Sequence, residues 1–325
     1  MGNCKESLIY GCILDGQGCG RAIDWSYISQ WTPEQGIIWL HFDYTSEQAR
    51  DWLKYESGLD RFVIDALLTE ESRPRTTQMA GGLLIALRGV NLSPGSDPED
   101  MVGIRIWTDG HRIISTRRRK LLSVSDVIER LEAGLGPKDI AEFLVLLADR
   151  LITRMGTTID ETEDRVAEIE ELMLSAESYA LRGKITSLRR TVIALRRYLA
   201  PQREAMTQMQ AIRVSWINHD IQQNMREVID HLIRYLEELD SVRDRAAVAH
   251  EELANRLTEQ MNNRMYVLSL VAAIFLPLGF FTGLLGINVG GIPGAENPWS
   301  FEIFCALLVV IVTIQVWFFK KKKWF

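Results

Sequence analysis

The sequence predicts an α+β cytoplasmic domain followed by a long helical stalk and two transmembrane helices, and three observations carry that prediction. Residues 265–285 contain no charge over 21 positions, enough for a helix to cross a hydrocarbon core of about 30 Å. A second apolar run, 303–319, is stopped by Lys320, Lys321, Lys322 and Lys323. The chain before these runs reads as soluble, with mixed strand and helix signals first and long helical periods afterwards. The predicted divisions are 1–135 for the α/β domain, 136–263 for the stalk and 264–325 for the hairpin, with an external loop at 286–300.

Within the first part, 37–42 (Ile-Ile-Trp-Leu-His-Phe) is a buried-strand run, and Ser46 stands where it would cap a short helix through Lys54. Residues 59–68 form the next helix, ended near Arg73-Pro74, and 83–90 form a strand. Residues 102–107 pair with 112–116 across Asp109-Gly110, a dipeptide suited to a two-residue hairpin turn. The polar stretch 91–100, with two prolines, is a loop. Strands and helices on one small core give a sheet that is at least partly antiparallel.

From Asp139 the breakers thin out. Residues 139–173 read as one helix whose 160–171 portion holds seven acidic residues and one arginine. Such a run is a solvated face, or a belt that concentrates cations or meets the basic tail. A second helix spans 177–212 and is interrupted near Pro201. The third begins near Ser215, and its apolar stripe continues in steps of three and four from Ile217 to Gly283 without a Gly or Pro before Pro277. One helix from 215 to 286 would be about 108 Å long at 1.5 Å per residue. A helix of that length needs neighbours, within the subunit or in copies of it. In the membrane its stripe turns small at Ala272, Gly279 and Gly283, which permits close helix packing or lines a narrow uncharged pore around an axis.

Lys and Arg are absent from 286–300, whereas Arg256 and Arg264 precede the first crossing and four lysines follow the second. The positive-inside rule therefore puts both termini in the cytoplasm. The first crossing then ends outside, with the negative end of its dipole at Gly286 and Asn288. Gly suits a left-handed helix termination, and the Asn amide offers an oxygen without a charge. A ring of such oxygens holds a hydrated cation weakly enough to release it. Glu296, the one charge of the loop, would attract external cations.

With 37 basic and 43 acidic residues, net −6, and no basic groove rich in aromatics, nucleic acid is not an expected partner. Cys4, Cys12 and Cys19 have seven and six residues between them, a spacing of no usual zinc pair, and Cys305 lies inside the second crossing. The N-terminus has no signal-peptide pattern. The five histidines are scattered; His219-Asp220 and His250-Glu251 are surface helical pairs, or soft metal ligands between subunits. No catalytic constellation, nucleotide loop or cofactor motif accompanies them, so an enzyme is not expected and transport would run on ion or voltage gradients.

The segments Tyr266-Val267-Leu268-Ser269-Leu270, Phe275-Leu276-Pro277-Leu278 and Thr282-Gly283-Leu284-Leu285-Gly286-Ile287-Asn288 resemble the CorA family of divalent-cation transporters. Ile287 departs from that family's usual Gly-Met-Asn, and 286–294 looks like its zinc-transporting ZntB branch. Glu71-Ser72-Arg73-Pro74-Arg75, the stretch 195–203 and the lysine-rich end add to the resemblance. It implies a CorA-like funnel: a homopentamer whose pore is lined by the first crossing, with the second packed outside. By position, Gly286, Ile287 and Asn288 would be the selectivity filter. Met265, Leu268, Ala272, Leu276, Gly279 and Gly283 would line the pore, and Lys320–Lys323 would form a basic inner ring. The family's magnesium-sensing carboxylates find no residue-by-residue match.

The resulting expectation is a zinc transporter, also of cadmium, cobalt or nickel, with the bilayer, the cation and copies of itself as partners. A magnesium, cobalt or nickel channel is the alternative in the same class. A membrane-anchored helical scaffold or sensor is the alternative from another, and a tail-anchored enzyme is a third.

Overall fold

The computed structural model describes residues 7–70, 73–175, 178–214, 216–287, 292, 294 and 297–321. The chain divides into two compact units, 1–250 and 251–325.

The first unit is built on a seven-stranded sheet. In chain order its strands are β1 (Leu8–Leu14), β2 (Gly20–Ala22), β3 (Ile37–Asp43), β4 (Arg75–Met79), β5 (Gly82–Gly89), β6 (Val102–Thr108) and β7 (Arg112–Arg117), and in space they run β2-β1-β3-β7-β6-β5-β4. Every pairing is antiparallel except β3 with β7, where Ile38 to Asp43 face Arg112 to Arg117 in parallel. β3 is central and covered on both faces, which is why Ile38 to Asp43 form an unbroken buried run instead of alternating with solvent. One face carries Ile38, Leu40 and Phe42 against Trp52 and Leu53 of α2 (Glu47–Tyr55) and Val63, Ile64 and Leu67 of α3 (Arg61–Leu68). The short helix Trp25–Ile28, α1, adds Trp25, whose ring meets Phe42 edge-on at 5.6 Å. On the other face Trp39 meets Phe143 at 4.7 Å, from α5 (Ile140–Thr153), while α4 (Leu122–Glu132) packs on α5. Gly89 lies so close to this layer that a Cβ would stand 2.8 Å from Leu121 and Leu151.

The predicted strands and helices of 37–117 are present, with physical differences at their ends. Ser46 occupies the N-cap position of α2, but its side chain makes no capping hydrogen bond. Asp60 does cap α3, accepting from the Phe62 N–H at 2.8 Å. The β6–β7 connection is a four-residue loop, because Thr108 pairs with Ile113, and not a two-residue turn. Asp109 closes it by accepting from the His111 and Arg112 N–H groups at 3.0 and 2.9 Å, with Gly110 at φ 96°.

The helical part also departs from its outline. Residues 139–173 form two helices, α5 and α6 (Gly156–Ser175). Their junction is pinned by Arg154, whose Nε donates to Asp126 of α4 at 2.6 Å. It is pinned again by Gly156, where a Cβ would lie 2.5 Å from the Tyr235 hydroxyl. α7 (Ser178–Ala211) continues through Pro201 and is not interrupted there. The lost backbone donor is offset by docking just beyond it. Gln202 Oε1 accepts the Arg88 N–H at 2.7 Å beyond the end of β4, and the Ala205 carbonyl accepts from Thr76 at 2.8 Å. α8 (His219–Leu285) starts after Asn218, whose side chain accepts the Ile221 N–H at 2.9 Å. The acidic face of α6 is a surface with exposed ion pairs: Glu168 meets Lys184 at 2.5 Å and Glu170 takes the Arg245 fork, each worth little in water.

His41, fully buried, gives this unit a pH signature. Ser115 Oγ donates to the Leu40 carbonyl and accepts from Trp39, so His41 Nδ1, 2.8 Å away, directs its hydrogen at that oxygen. Nε2 has no partner among the described residues, and burial together with Arg117 pushes the imidazole pKa down to about 3. The ring is neutral when folded and protonates near 6.5 when unfolded, so stability is lost as pH falls from about 6.5 toward 3. His41→Phe is expected to remove a slope of up to about 1.4 kcal/mol per pH unit between pH 6 and 5, read by denaturant unfolding of the full chain. An unchanged slope would show that another group carries it.

The second unit contains the membrane-type end of α8 and α9 (Ser300–Lys321). Both helices are long and apolar enough to cross a membrane, and their most apolar windows have no residue buried. Exposure on all sides, as at Phe280, Leu284, Val309 and Trp317, suits lipid rather than water.

Candidate functional site

The stripe predicted to line a pore lies on one side of α8. Met265, Leu268 and Leu276 are 61, 69 and 71% exposed, and Ala272 is half-buried. A Cβ at Gly279 or Gly283 would meet nothing within 4 Å. Within one chain, then, no packing requires a glycine at either position, and each marks a face free to meet other groups. Gly279 also borders an open groove between the two apolar helices, shared with Phe275, Leu278, Thr282 and, from α9, Leu308, Val309, Val312 and Thr313. Thr282 is the only hydroxyl that α8 contributes to this groove, and it donates backward to the Leu278 and Gly279 carbonyls at 2.9 and 3.1 Å. The stripe therefore presents no ionisable group and no Cys or His, so nothing on it would chelate a soft cation tightly.

α8 stops at Leu285, and Gly286 follows with its N–H on the Thr282 carbonyl at 2.9 Å. Gly286 does not take the left-handed conformation expected of it. The glycine is needed for another reason: a Cβ would sit 2.8 Å from the Thr282 oxygen. The carbonyls of the last turn carry the negative end of the helix dipole here. Ile287 is 49% exposed beside it. Asn288, Glu296, Lys322 and Lys323, as well as Cys4, lie outside the described residues. Lys320 and Lys321 close α9, and Lys321 stands 5.0 Å over the Trp317 ring.

Elsewhere the expected metal ligands do not converge. Among the described residues no group of three or more His, Cys, Asp or Glu is placed to hold a metal. Cys12 is buried, its thiol pushed up to about 12 by burial, whereas Cys19 is exposed. His219 and Asp220 are exposed at the start of α8, and His231 stacks on Tyr235 at 4.5 Å. One contributor to the membrane helices escaped the sequence reading. Pro277 cannot donate to the Ala273 carbonyl one turn earlier, and Gln315 Nε2 of α9 lies 3.5 Å from that oxygen. A glutamine inside a largely apolar run was the available signal.

A family model described as CorA-like Mg²⁺ transporter protein matches residues 34–321. Over 324 residues the chain is 42% identical to the divalent cation transporter CmaX of Pseudomonas aeruginosa, covering 98% of this chain and 97% of that one. It is 37% identical over 316 residues to the zinc transport protein ZntB of Yersinia pseudotuberculosis, covering 97% and 95%. Its fold matches the structure of full-length CmaX with a TM-score of 0.85 at 41% identity, over 100% of both chains. The CorA magnesium transporter of Methanocaldococcus jannaschii matches with a TM-score of 0.81 at 18% identity, over 98% of this chain and 99% of that one, a likeness of fold alone.

Proposed function

The chain belongs to the CorA family of divalent-cation transporters, and from that premise we propose that it carries zinc, and also cadmium, cobalt or nickel, through a homopentameric pore in the inner membrane. As a family member it transports ions and is not an enzyme. In this reading both termini are cytoplasmic, residues 1–135 and 136–263 form the body and stalk of a funnel, and 264–325 form the membrane hairpin. Five copies of the 286–288 segment make the entrance filter, where Gly286 permits a tight end to α8 and Asn288 holds the cation through its water shell. Ile287 fixes the filter's apolar flank. Met265, Leu268, Ala272, Leu276, Gly279 and Gly283 line the path below it, Glu296 draws cations to the mouth, and Lys320–Lys323 ring the inner end.

The observation that carries the reading is the uncharged, exposed stripe of α8, open at Gly279 and Gly283 and ending at the filter segment. Such a path suits an ion that stays hydrated, because a stripe of thiolates or imidazoles would hold Zn²⁺ too tightly to release it. Zinc as cargo is supported by the ZntB relatives and by Ile287 at the filter.

A magnesium, cobalt or nickel channel is the second reading, favoured by the family model's own description and by the broader name of the CmaX relative. Competition separates the two. Zn²⁺ flux into proteoliposomes is expected to persist when Mg²⁺ is present at the same concentration. Loss of Zn²⁺ flux under that condition would assign the pore to magnesium.

A further inference from the structure

The sheet of the first unit carries a buried cation that cation transport does not explain. Ala86 of β5 faces Arg105 of β6, and Arg88 faces Gly103, so this register sets both guanidinium groups side by side on one face. Both are buried, with Arg105 3% exposed and Arg88 8%. Arg105 Nη2 donates to the Glu70 carbonyl at 2.6 Å and its guanidinium lies 5.0 Å from the Tyr44 ring. Among the described residues its Nε has no partner and no carboxylate makes an ion pair with it. Burial, and after it the like charge of Arg88, hold its pKa below the ordinary arginine value, against the hydrogen-bonded Tyr44 hydroxyl, which pulls the other way. A buried charge is normally paired, because desolvation otherwise goes uncompensated.

Arg105 is at the wall of an open cavity of about 140 Å³ beyond the end of α3. Gly103 keeps one flank of the guanidinium clear: a Cβ there would lie 3.7 Å from Nη1 and 3.8 Å from Nη2. Arg88, held by the Met101 carbonyl at 2.8 Å, lies 4.1 Å from the Tyr198 ring on the α7 side. At the rim Arg118 pairs with Glu70 and Arg119 with Asp100, each side chain about half exposed. Such exposed pairs contribute little in water and can exchange partners, whereas the deeper group cannot. The arginine fork matches the oxygens of a tetrahedral oxyanion in two-point fashion.

We propose that this cavity binds a phosphate-type oxyanion, with Arg105 as its inner contact and Arg118 and Arg119 closing over it from the rim. The site belongs to the soluble unit and stands independently of which metal the pore carries.

The test uses the purified full-length protein in detergent, with inorganic phosphate as the probe and sodium chloride at matched ionic strength as the control. Phosphate is expected to raise the unfolding temperature in a concentration-dependent way beyond the chloride control, since a ligand of the folded state stabilises by mass action. Arg105→Met is expected to lose that response while the phosphate-free protein melts at or above the wild-type temperature, because an unpaired buried charge has been removed. Gly103→Val, which leaves Arg105 in place and fills its open flank, is expected to weaken phosphate binding by calorimetry at least tenfold. No phosphate-specific response in the wild type would overturn the proposal, as would a full response in Arg105→Met or Gly103→Val. An Arg105→Met protein that melts well below wild type without phosphate would assign the residue a structural role instead.

Discussion

Asn288→Ala is expected to lower divalent-cation flux by roughly 100-fold while the protein still assembles and melts as the wild type does. The amide supplies an uncharged oxygen that alanine lacks, and in the proposed filter it would act together with the negative dipole end of α8. A 100-fold loss corresponds to about 2.7 kcal/mol in the barrier, the scale of removing one set of well-placed polar contacts. Size-exclusion elution and thermal unfolding are the controls that separate a filter defect from misfolding. Unchanged flux would remove the filter role from Asn288.

Gly283→Leu, and Gly279→Leu beside it, carry the second large effect. A Cβ at either position meets nothing within 4 Å inside the chain, so leucine adds no clash within the protomer. Any cost must then come from what faces the stripe in the proposed assembly, where a leucine side chain repeated around a five-fold axis would fill a narrow apolar path. Flux is expected to fall at least about tenfold with the helical circular dichroism signal unchanged. Flux that tolerates both leucines would show that the transport path does not run along these glycines.

Much of this was legible in the residue order because it is local. Two long uncharged runs, a lysine stop and a loop without Lys or Arg define the hairpin without tertiary information, and the run from Ile37 to Phe42 announces a strand covered on both faces. The missed features depend on contacts distant in sequence. The β1 and β2 strands sit in a Gly-rich stretch, and the pairing of β1 with β3 that brings both into the sheet cannot be read locally, so no element was assigned there. The break between α5 and α6 answers to Asp126 and Tyr235, and the unbroken course of α7 through Pro201 answers to Arg88 and Thr76 on the sheet.

The candidate site divides the same way. The apolar stripe of α8 follows from helical period alone, but the conformation of Gly286 does not: a terminal glycine suggests a left-handed residue, and the close Thr282 carbonyl satisfies the same requirement differently. Arg88 and Arg105 were not singled out in the residue order. Only the pairing of Arg88 with Gly103 and of Ala86 with Arg105 shows that they share one buried face.

Flux of Zn²⁺ into liposomes holding the purified wild-type protein, read by a trapped fluorescent chelator with and without an imposed pH gradient, tests the central claim most directly. The account predicts uptake well above protein-free liposomes. A dependence on the gradient would define proton-coupled carriage, and independence would define a channel. Absence of Zn²⁺ uptake under both conditions, alongside clear Mg²⁺ or Co²⁺ uptake by the same vesicles, would contradict it.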